Sequence, residues 1–259
     1  MYNTELEVAK KIARAAGHVM RRYFEGNQSR EIKADGTPLT VADTTINSMV
    51  IAELGLAFPE DGVIGEEEST ATYGMGRRWI CDPIDGTKAF TWGVPTAMFS
   101  LALVVDGVPK VGVCYEPMLD KMYSAIVGGD AVCNNTVLRV NDESLEEGIV
   151  AIVASAEIIR HSAKFLQVLF DRKIQLAIFS GAVAKSVRVA EGRFVGYIDG
   201  EFVGPHDVAA AHVIVESAGG KISGLYGEKL DYSKQFKGVI ISNGMVHDEL
   251  KSLCTSSDS

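Results

Sequence analysis

The spacing of apolar residues changes near residue 145, and this change limits the folds open to the chain. Three short β-rich runs separated by turn residues predict an antiparallel meander. They are 100–105, 110–115 and 121–126. Beyond residue 145, segment 149–218 alternates strand and helix, as α/β folds do. We predict two tightly joined α/β lobes, residues 1–145 and 146–259.

Apolar residues at helical spacing predict helices near both ends of the chain. Apolar residues recur at three- and four-residue spacing from Leu6 to Met20, which predicts an amphipathic helix ending near Gly26. A second apolar stripe runs through Ile46, Val50 and Leu54. A strand at 238–242 and a helix from residue 246 close the pattern, so helices are expected at both ends of the chain.

Composition narrows the class of protein. The 259 residues have 47% hydrophobic content, which favours a globular chain. Their net charge of -9 argues against binding to a nucleic-acid backbone or an anionic membrane. The four cysteines form no C-x-x-C pair, which favours reduced thiols in the cytosol. Early charged residues such as Glu5, Glu7 and Lys10 predict neither a leader nor a membrane span. We expect a cytoplasmic protein.

The most specific stretch is WICDPIDGTKAF, residues 79–90. It delivers Asp82 and Asp85 at the end of an apolar run, on either side of Pro83-Ile84. Hard divalent cations prefer such oxygen ligands, and the Ile84 carbonyl can add one. The residues from Thr87 onward could form a short helix whose first amides suit a phosphate oxygen. The same composition also fits an ordinary polar turn.

Three further acids are candidates with structural alternatives. Glu66 follows the apolar pair 63–64 and is a better ligand candidate than its neighbours Glu67 and Glu68. Asp43 fits a capping box with Thr40, which explains it without catalysis. Asp207 begins a predicted helix, where an acid is favoured by the helix dipole in any case.

These stretches together resemble the inositol monophosphatase family, within a larger group of metal-dependent, lithium-sensitive phosphatases that includes fructose bisphosphatases. Gly65-Glu66-Glu67 is similar to the family's GEE element, 79–90 to WxxDPIDGTxxF, 206–210 to WDxAA and 216–220 to E-x-A-G-G. The resemblance implies an α/β (α+β) fold, a layered αβαβα sandwich, and hydrolysis of small phosphate monoesters. It also implies a homodimer.

The resemblance implies roles for individual residues. Those that would hold a first Mg²⁺ are Glu66, Asp82, Asp85 and, through its carbonyl, Ile84. Those that would hold a second are Asp82, Asp85 and Asp207. A third, weaker Mg²⁺ near Glu66 adds this residue to the catalytic set. Asp43 and Thr87 would orient the attacking water. Amides of Gly86, Thr87 and Lys88 would cradle the phosphate, while clustered metals acidify water and neutralise the leaving group.

Departures from the family pattern concern the substrate. The usual Trp before the second motif's Asp is His206, and Gly200 stands where inositol-specific members carry an acid, with Glu201 one position away. Lys33 resembles a lysine of the family's N-terminal loop, and an exposed loop lysine explains it equally well. We take Glu201, His206 and Lys33 as candidate substrate-binding residues.

The expected substrate is therefore open within the family. Inositol 1-phosphate is the first candidate, with histidinol phosphate, fructose 1,6-bisphosphate and 3′(2′),5′-bisphosphate nucleotides as alternatives. Lys88 favours the histidinol phosphatase and nucleotidase branches, whereas the meander favours the inositol monophosphatase branch. A non-catalytic regulatory member of the same fold is the alternative from another class.

Overall fold

The computed structural model describes residues 1–24, 30–32, 38–153, 163–200 and 203–255. In chain order the described elements are α1 (Asn3–Phe24), β1 (Arg30–Ile32), β2 (Pro38–Thr40), α2 (Val41–Ala57), β3 (Gly62–Gly65), β4 (Arg77–Asp85), α3 (Thr87–Thr91), β5 (Met98–Val105), β6 (Val108–Glu116), β7 (Lys121–Ile126), β8 (Val132–Cys133), β9 (Thr136–Val137), β10 (Ile149–Ile152), α4 (Ala163–Asp171), β11 (Gln175–Ile178), α5 (Ala182–Ala190), β12 (Gly196–Asp199), α6 (Pro205–Ser217), β13 (Lys221–Ser223), β14 (Val239–Ser242) and α7 (His247–Thr255).

The larger sheet has seven strands in the order β3-β4-β5-β6-β7-β8-β9. Its first pair, β3 and β4, is parallel, and every later neighbour is antiparallel. Strands β5, β6 and β7 are joined by tight turns, so the predicted antiparallel meander is confirmed. Strands β1 and β2 form a separate antiparallel pair.

The smaller sheet has five strands in the order β11-β10-β12-β14-β13. Strand β10 pairs in parallel with β11 and with β12, as the strand and helix alternation predicts. Strand β14 runs antiparallel to both β12 and β13. The sheet is therefore mixed, and the carboxyl end of β12 meets the edge of the site described below.

Helices cover both faces of the larger sheet, so its central strands, β4 to β7, are buried on both sides. Trp79, Cys81 and Leu101 pack in one cluster with the apolar stripes of α1 and α2. Their neighbours Ile80 and Ala102 point to the other face and pack in a second cluster with α5 and α6. This alternation follows from the two-residue period of a strand.

A third cluster packs α4 and α7 on the outer face of the smaller sheet, through residues such as Leu169, Ile240 and Leu250. The order of layers is therefore helix, sheet, helix, sheet, helix, which confirms the αβαβα sandwich. The second cluster, which lies between the two sheets, contains residues from both halves of the chain, for example Ala102 and Ile241. The division into lobes near residue 145 stays a prediction.

The predicted helices are found with shifted ends. Helix α1 ends at Phe24, and Gly26 lies outside the described residues. The helix expected at 158–170 is described from Ala163 to Asp171. Helix α6 begins at Pro205, so Asp207 occupies its third position. Pro205 suits the first turn because its missing amide hydrogen would have no partner there.

Close contact between α6 and β6 depends on Gly112. A Cβ at this position would overlap the backbone carbonyl oxygen of Ala210, which a helix cannot easily move. We expect Gly112→Ala to lower the free energy of unfolding by about 1–3 kcal/mol, because overpacking forces backbone shifts. Gly55→Ala in α2 is the matched control: nothing lies within 4 Å of its Cβ, and alanine favours a helix. Urea unfolding measures both, and equal stabilities would contradict the prediction.

Candidate active site

Asp82 and Asp85 lie at the carboxyl end of β4, where the pairing with β5 is irregular. The register shifts between these two residues, which span Pro83 and Ile84. The Asp82 carboxylate accepts a hydrogen bond from the Ile84 amide at 3.0 Å. Both aspartates are buried, at 2% and 4% exposure. The irregularity allows two carboxylates from one short segment to reach the same side, which a regular strand would do only at alternate positions.

Asp207 joins this pair from α6. One carboxylate oxygen each from Asp82, Asp85 and Asp207 lies within 4.8 Å of the others. Asp207 Oδ2 also accepts from the Gly204 amide at 2.7 Å, so it caps its own helix, and it lies 3.4 Å from His206 Nε2. Both explanations of Asp207 therefore hold structurally: it caps α6, and it lies in the acidic cluster.

The amino terminus of α5 holds the Asp85 carboxylate. The amides of Ala182, Val183 and Ala184 donate to its two oxygens at 2.8, 2.9 and 3.3 Å. These bonds fix the orientation of Asp85 and offset part of its charge. They join residues 97 to 99 positions apart, so no local sequence pattern predicts them.

A partly buried ionic network holds α5 against the larger sheet. Arg188 of α5 donates twice to the Glu116 carboxylate, at 2.6 and 2.7 Å, and once to the Tyr123 hydroxyl at 2.6 Å. Glu191 accepts from Arg188 at 3.0 Å and from Lys121 at 2.8 Å. Both bonds to Glu116 come from one guanidinium nitrogen, Nη2, and they tie the carboxyl-terminal part of α5 to the larger sheet.

Burial and mutual repulsion raise the pKa of each clustered aspartate. Burial is the largest cause for Asp82, whose pKa lies well above its usual value, and the charges of Glu66, Asp85 and Asp207 add to it. Burial and then Asp207 raise the pKa of Asp85 to about 7, although Lys185 and the α5 amides oppose the shift. Burial also raises the pKa of Asp207. A bound cation would relieve this repulsion.

The donor set suits a hard divalent ion. The three clustered groups are all carboxylates, and nitrogen or sulfur ligands are absent from the cluster found among the described residues. Mg²⁺ and Ca²⁺ prefer such oxygen ligands. Glu66 lines the same cavity but lies outside the tight group of three. The Ile84 carbonyl accepts from the Thr87 hydroxyl at 2.9 Å and keeps a second lone pair.

Asp43 combines a satisfied oxygen with an orphaned one. Its Oδ2 accepts from the Thr40 amide at 2.8 Å and the Thr40 hydroxyl at 2.6 Å, which confirms the predicted capping box. Its buried Oδ1 has no hydrogen-bond partner in the described part of the chain. Burial raises the pKa of Asp43 to about 6. An unpaired buried oxygen is costly, so this atom is suited to a water or ligand.

Helix α3 begins directly after the aspartates. Gly86 is its N-cap, with φ of +84°, a left-handed conformation that glycine adopts without strain. A Cβ there would also lie 3.3 Å from Gly181 Cα. Gly86, Thr87 and Lys88 line the same cavity as the acidic cluster. The predicted short helix is confirmed, and its free amides are suited to an anion.

The cavity encloses about 480 Å³ and extends beyond the acidic cluster. Its other walls include Phe179 after β11, Lys185 on α5, and Tyr197 and Asp199 on β12. Sequence reasoning missed these four residues. Only the rule that functional groups collect at the carboxyl ends of parallel strands could have drawn attention to Phe179 and Asp199.

The three candidate substrate-binding residues have different outcomes. Glu201 and Lys33 lie outside the described residues. His206 contacts Asp207 but lines a separate cavity of about 410 Å³, together with Gly204, Gln235, Phe236 and Lys237. The structure thus brings Glu66, Asp82, Ile84, Asp85, Gly86, Thr87, Lys88 and Asp207 to one cavity, whereas Asp43 and His206 are not among its lining residues.

Comparison with known proteins establishes the class. The sequence profile of the inositol monophosphatase family matches residues 1–258. The chain is 30% identical over 249 residues to a fructose-1,6-bisphosphatase/inositol-1-monophosphatase of Thermotoga maritima, covering 95% of this chain and 93% of that protein. It is 34% identical over 225 residues to a histidinol-phosphatase of Chlorobaculum parvum, covering 83% and 84%.

The fold comparison agrees. A solved Thermotoga maritima inositol monophosphatase structure superposes with a TM-score of 0.88 at 28% identity, covering 100% of this chain and 98% of the other. The chain belongs to the inositol monophosphatase family, whose members hydrolyse phosphate monoesters. It is a phosphatase. Among the described helices, none combines the length and apolar character needed to cross a membrane.

Proposed function

We propose that the chain hydrolyses the phosphate monoester of a small metabolite, with inositol 1-phosphate as the first candidate and Mg²⁺ as the cofactor. The observation that carries the proposal is one cavity lined by both the three-aspartate cluster and the amino terminus of α3. The first suits cations and the second suits an anion. A phosphate ester bridged between them would be held by both.

In this proposal Asp82, Asp85 and Asp207 hold Mg²⁺, with Glu66 and the Ile84 carbonyl completing the set. When bound, two or three divalent ions would neutralise phosphoryl charge and acidify water. The α5 amides keep Asp85 oriented for this task. The cluster's repulsion in the absence of a cation supports a site built for positive charge.

The chain's own groups would bind the phosphate and position the nucleophile. Amides of Gly86, Thr87 and Lys88 would donate to phosphate oxygens. Asp43 Oδ1, which lacks a partner in the described residues, would accept a proton from the attacking water. Because the Thr87 hydroxyl donates to the Ile84 carbonyl, its oxygen is left to accept from the same water. Two fixed acceptors would thus orient one water molecule.

Asp43→Asn tests this role against simple capping. Asparagine keeps an oxygen for the Thr40 donors, so we expect the free energy of unfolding to fall by less than about 1 kcal/mol. Loss of a positioned base costs about 10²–10⁴-fold in rate, so kcat should fall by that factor. Phosphate release with Mg²⁺ and thermal unfolding are the measurements. Unchanged kcat with a lower melting temperature would show that Asp43 caps the helix and takes no part in catalysis.

Histidinol phosphate is a second candidate substrate. The Asp199 carboxylate lies at the cavity wall, 2% exposed, and accepts from the Tyr197 hydroxyl at 3.0 Å. A buried carboxylate of this kind is suited to the ammonium group of an amino alcohol. The 34% identical histidinol-phosphatase supports this candidate.

A phosphate-release screen decides among the candidates. The intact chain with Mg²⁺ is assayed on inositol 1-phosphate, histidinol phosphate, fructose 1,6-bisphosphate and 3′-phosphoadenosine 5′-phosphate. We expect release from at least one and no release after chelation. If no ester is hydrolysed, the alternative of a non-catalytic regulatory member gains support.

The remaining proposals concern the protein's state in the cell. We infer a homodimer in the cytoplasm and inhibition of phosphate release by Li⁺, all supported by the family resemblance. Light scattering of the purified chain and a Li⁺ titration of its phosphate release test the first and last. A monomeric mass or an unchanged rate would contradict them.

A further inference from the structure

Asn47 is a buried amide side chain on a helix face that is otherwise apolar apart from Asp43. It lies one turn after Asp43 in α2 and is 1% exposed. Burying an amide group costs free energy that an aliphatic side chain would avoid, unless new hydrogen bonds replace those to water. The remaining buried residues of α2 are all aliphatic: Ala42, Ile46, Val50 and Leu54. The contacts of Asn47 therefore indicate why an amide is present here.

Asn47 contacts the acidic loop that carries Glu66, residues 65–69. Its Nδ2 donates to the backbone carbonyl of Glu68 at 3.0 Å. Its Oδ1 packs against Gly65, where a Cβ would overlap this oxygen. Asn47 thus contacts the loop on both sides of Glu66. Because both contacts are made with the backbone of the loop, they fix the path of the chain through Glu66.

Other hydrogen bonds hold the same loop from different directions. The Glu66 amide donates to the Cys81 carbonyl of β4 at 3.1 Å. The Gly65 amide donates to the Ser69 hydroxyl at 3.2 Å. These bonds tie the loop to β4 and to itself, whereas the bond from Asn47 ties it to α2. Asn47 therefore supplies a constraint that relates the position of Glu66 to that helix.

Helix α2 also carries Asp43, the proposed acceptor for the attacking water. Residues four apart on a helix are neighbours on one face, with Cβ atoms about 5–6 Å apart, so Asp43 and Asn47 are held together. Burial raises the pKa of Asp43 most, and the nearby charges of Glu67 and Glu66 raise it further. The acidic loop thus lies close to both residues. One turn of α2 carries the proposed water acceptor and the side chain that holds the loop.

We propose that Asn47 is a positioning residue that fixes Glu66 relative to Asp43. This inference rests on the proposed function, in which Glu66 helps to hold Mg²⁺ and Asp43 orients the water. Asn47 is not among the described residues that line the cavity, so it acts through the backbone of the loop. Its loss should weaken metal binding and slow the reaction, while the groups that would bind phosphate stay in place.

Asn47→Leu tests the role, because leucine has a similar volume and no hydrogen-bonding group. We expect the Mg²⁺ concentration for half-maximal thermal stabilisation to rise about 10- to 100-fold, as it does when a metal ligand loses the residue that orients it. Thermal stabilisation reports binding without turnover. On an ester that wild type hydrolyses, kcat at saturating Mg²⁺ should fall about 10-fold. KM should change less than threefold, because the α3 amides are unaltered.

Asn243→Leu is the matched control. Asn243 is also a buried amide, 6% exposed, and its Nδ2 donates to the backbone carbonyl of Glu143 at 2.9 Å. Both variants should unfold at a lower temperature in chelator, because each leaves a backbone carbonyl without its amide donor. The Mg²⁺ affinity of Asn243→Leu should stay within twofold of wild type. If Asn47→Leu does not fold, Asn47→Ser, which is shorter and has no amide, takes its place in the same measurements.

The outcomes separate this inference from the proposed function. Wild-type Mg²⁺ affinity in Asn47→Leu would show a purely structural role, and the inference would be wrong. An equal loss of affinity in Asn243→Leu would also overturn it, because general destabilisation would then be the cause. A raised KM with unchanged kcat would contradict it by placing the effect on substrate binding. Absence of phosphate release from every ester by the wild-type chain would overturn the proposed function and the inference together.

Discussion

Asp85→Asn is expected to abolish Mg²⁺-dependent phosphate release, with kcat/KM falling by at least about 10³-fold. Asp85 lies in the cluster with Asp82 and Asp207, and its two oxygens are oriented by three amides of α5. Asparagine removes the negative charge and presents an NH₂ group to these donors. Loss of charge stabilisation at a metal-assisted site costs several kcal/mol, and each 1.36 kcal/mol is about tenfold in rate.

The control for Asp85→Asn is Asp130→Asn. Asp130 is an exposed aspartate that pairs with Arg139 at 2.8 Å, and its side chain is 60% exposed. We expect this variant to keep full activity, because surface ion pairs contribute little. Phosphate release and circular dichroism are measured for both variants. A folded Asp85→Asn protein with undiminished turnover would overturn the assignment of the metal site.

Asp82→Asn is expected to be more stable than wild type in the absence of metal and less stable than wild type in the presence of Mg²⁺. In chelator at pH 7.5 the variant should unfold at a higher temperature than wild type, by about 3–8 °C. The reason is that Asp82 is buried beside Glu66, Asp85 and Asp207, which makes its ionised form unfavourable. One kcal/mol corresponds to about 2–4 °C for a protein of this size.

The stability difference between metal-free Asp82→Asn and wild type should depend on pH, because the pKa of Asp82 is raised in the folded protein. A carboxyl group whose pKa is higher in the folded state binds more protons when folded, so its contribution to stability improves as pH falls and is lost as pH rises through the folded pKa. The gap between Asp82→Asn and wild type should therefore narrow as the pH of the metal-free samples is lowered from 8 toward 5. A constant gap would exclude the charge of Asp82 as its cause.

In the presence of Mg²⁺, wild type should unfold at a higher temperature than Asp82→Asn. A ligand that binds only the folded state adds about 2.7 kcal/mol at a hundredfold excess over its Kd. Wild type should gain this stabilisation, and Asp82→Asn should gain much less because it lacks a ligand. Differential scanning calorimetry with chelator and with Mg²⁺ measures the crossover. If both proteins gain equally from Mg²⁺, Asp82 does not hold the ion.

Comparison of sequence and structure shows where local pattern is informative. The aspartates of 79–90 were identified because Pro83 and Gly86 impose local backbone geometry, which acts over a few residues. The Thr40 and Asp43 capping box was identified for the same reason. Strand β13 and the parallel pairing of β3 with β4 were not identified from the sequence, because strand neighbours are set by contacts distant in sequence.

The site shows the same division. Asp82, Asp85 and the start of α3 lie in one short segment, so the sequence by itself determined that two carboxylates and a run of free amides stand next to each other. The tertiary structure alone decided what surrounds them: the amides of α5 on Asp85, Asp207 from α6, and the wall with Phe179, Lys185, Tyr197 and Asp199. The neighbouring carboxylates and amides are therefore encoded locally, whereas the cluster with Asp207 and the opposite wall of the cavity arise where segments about 100 residues apart or more pack together.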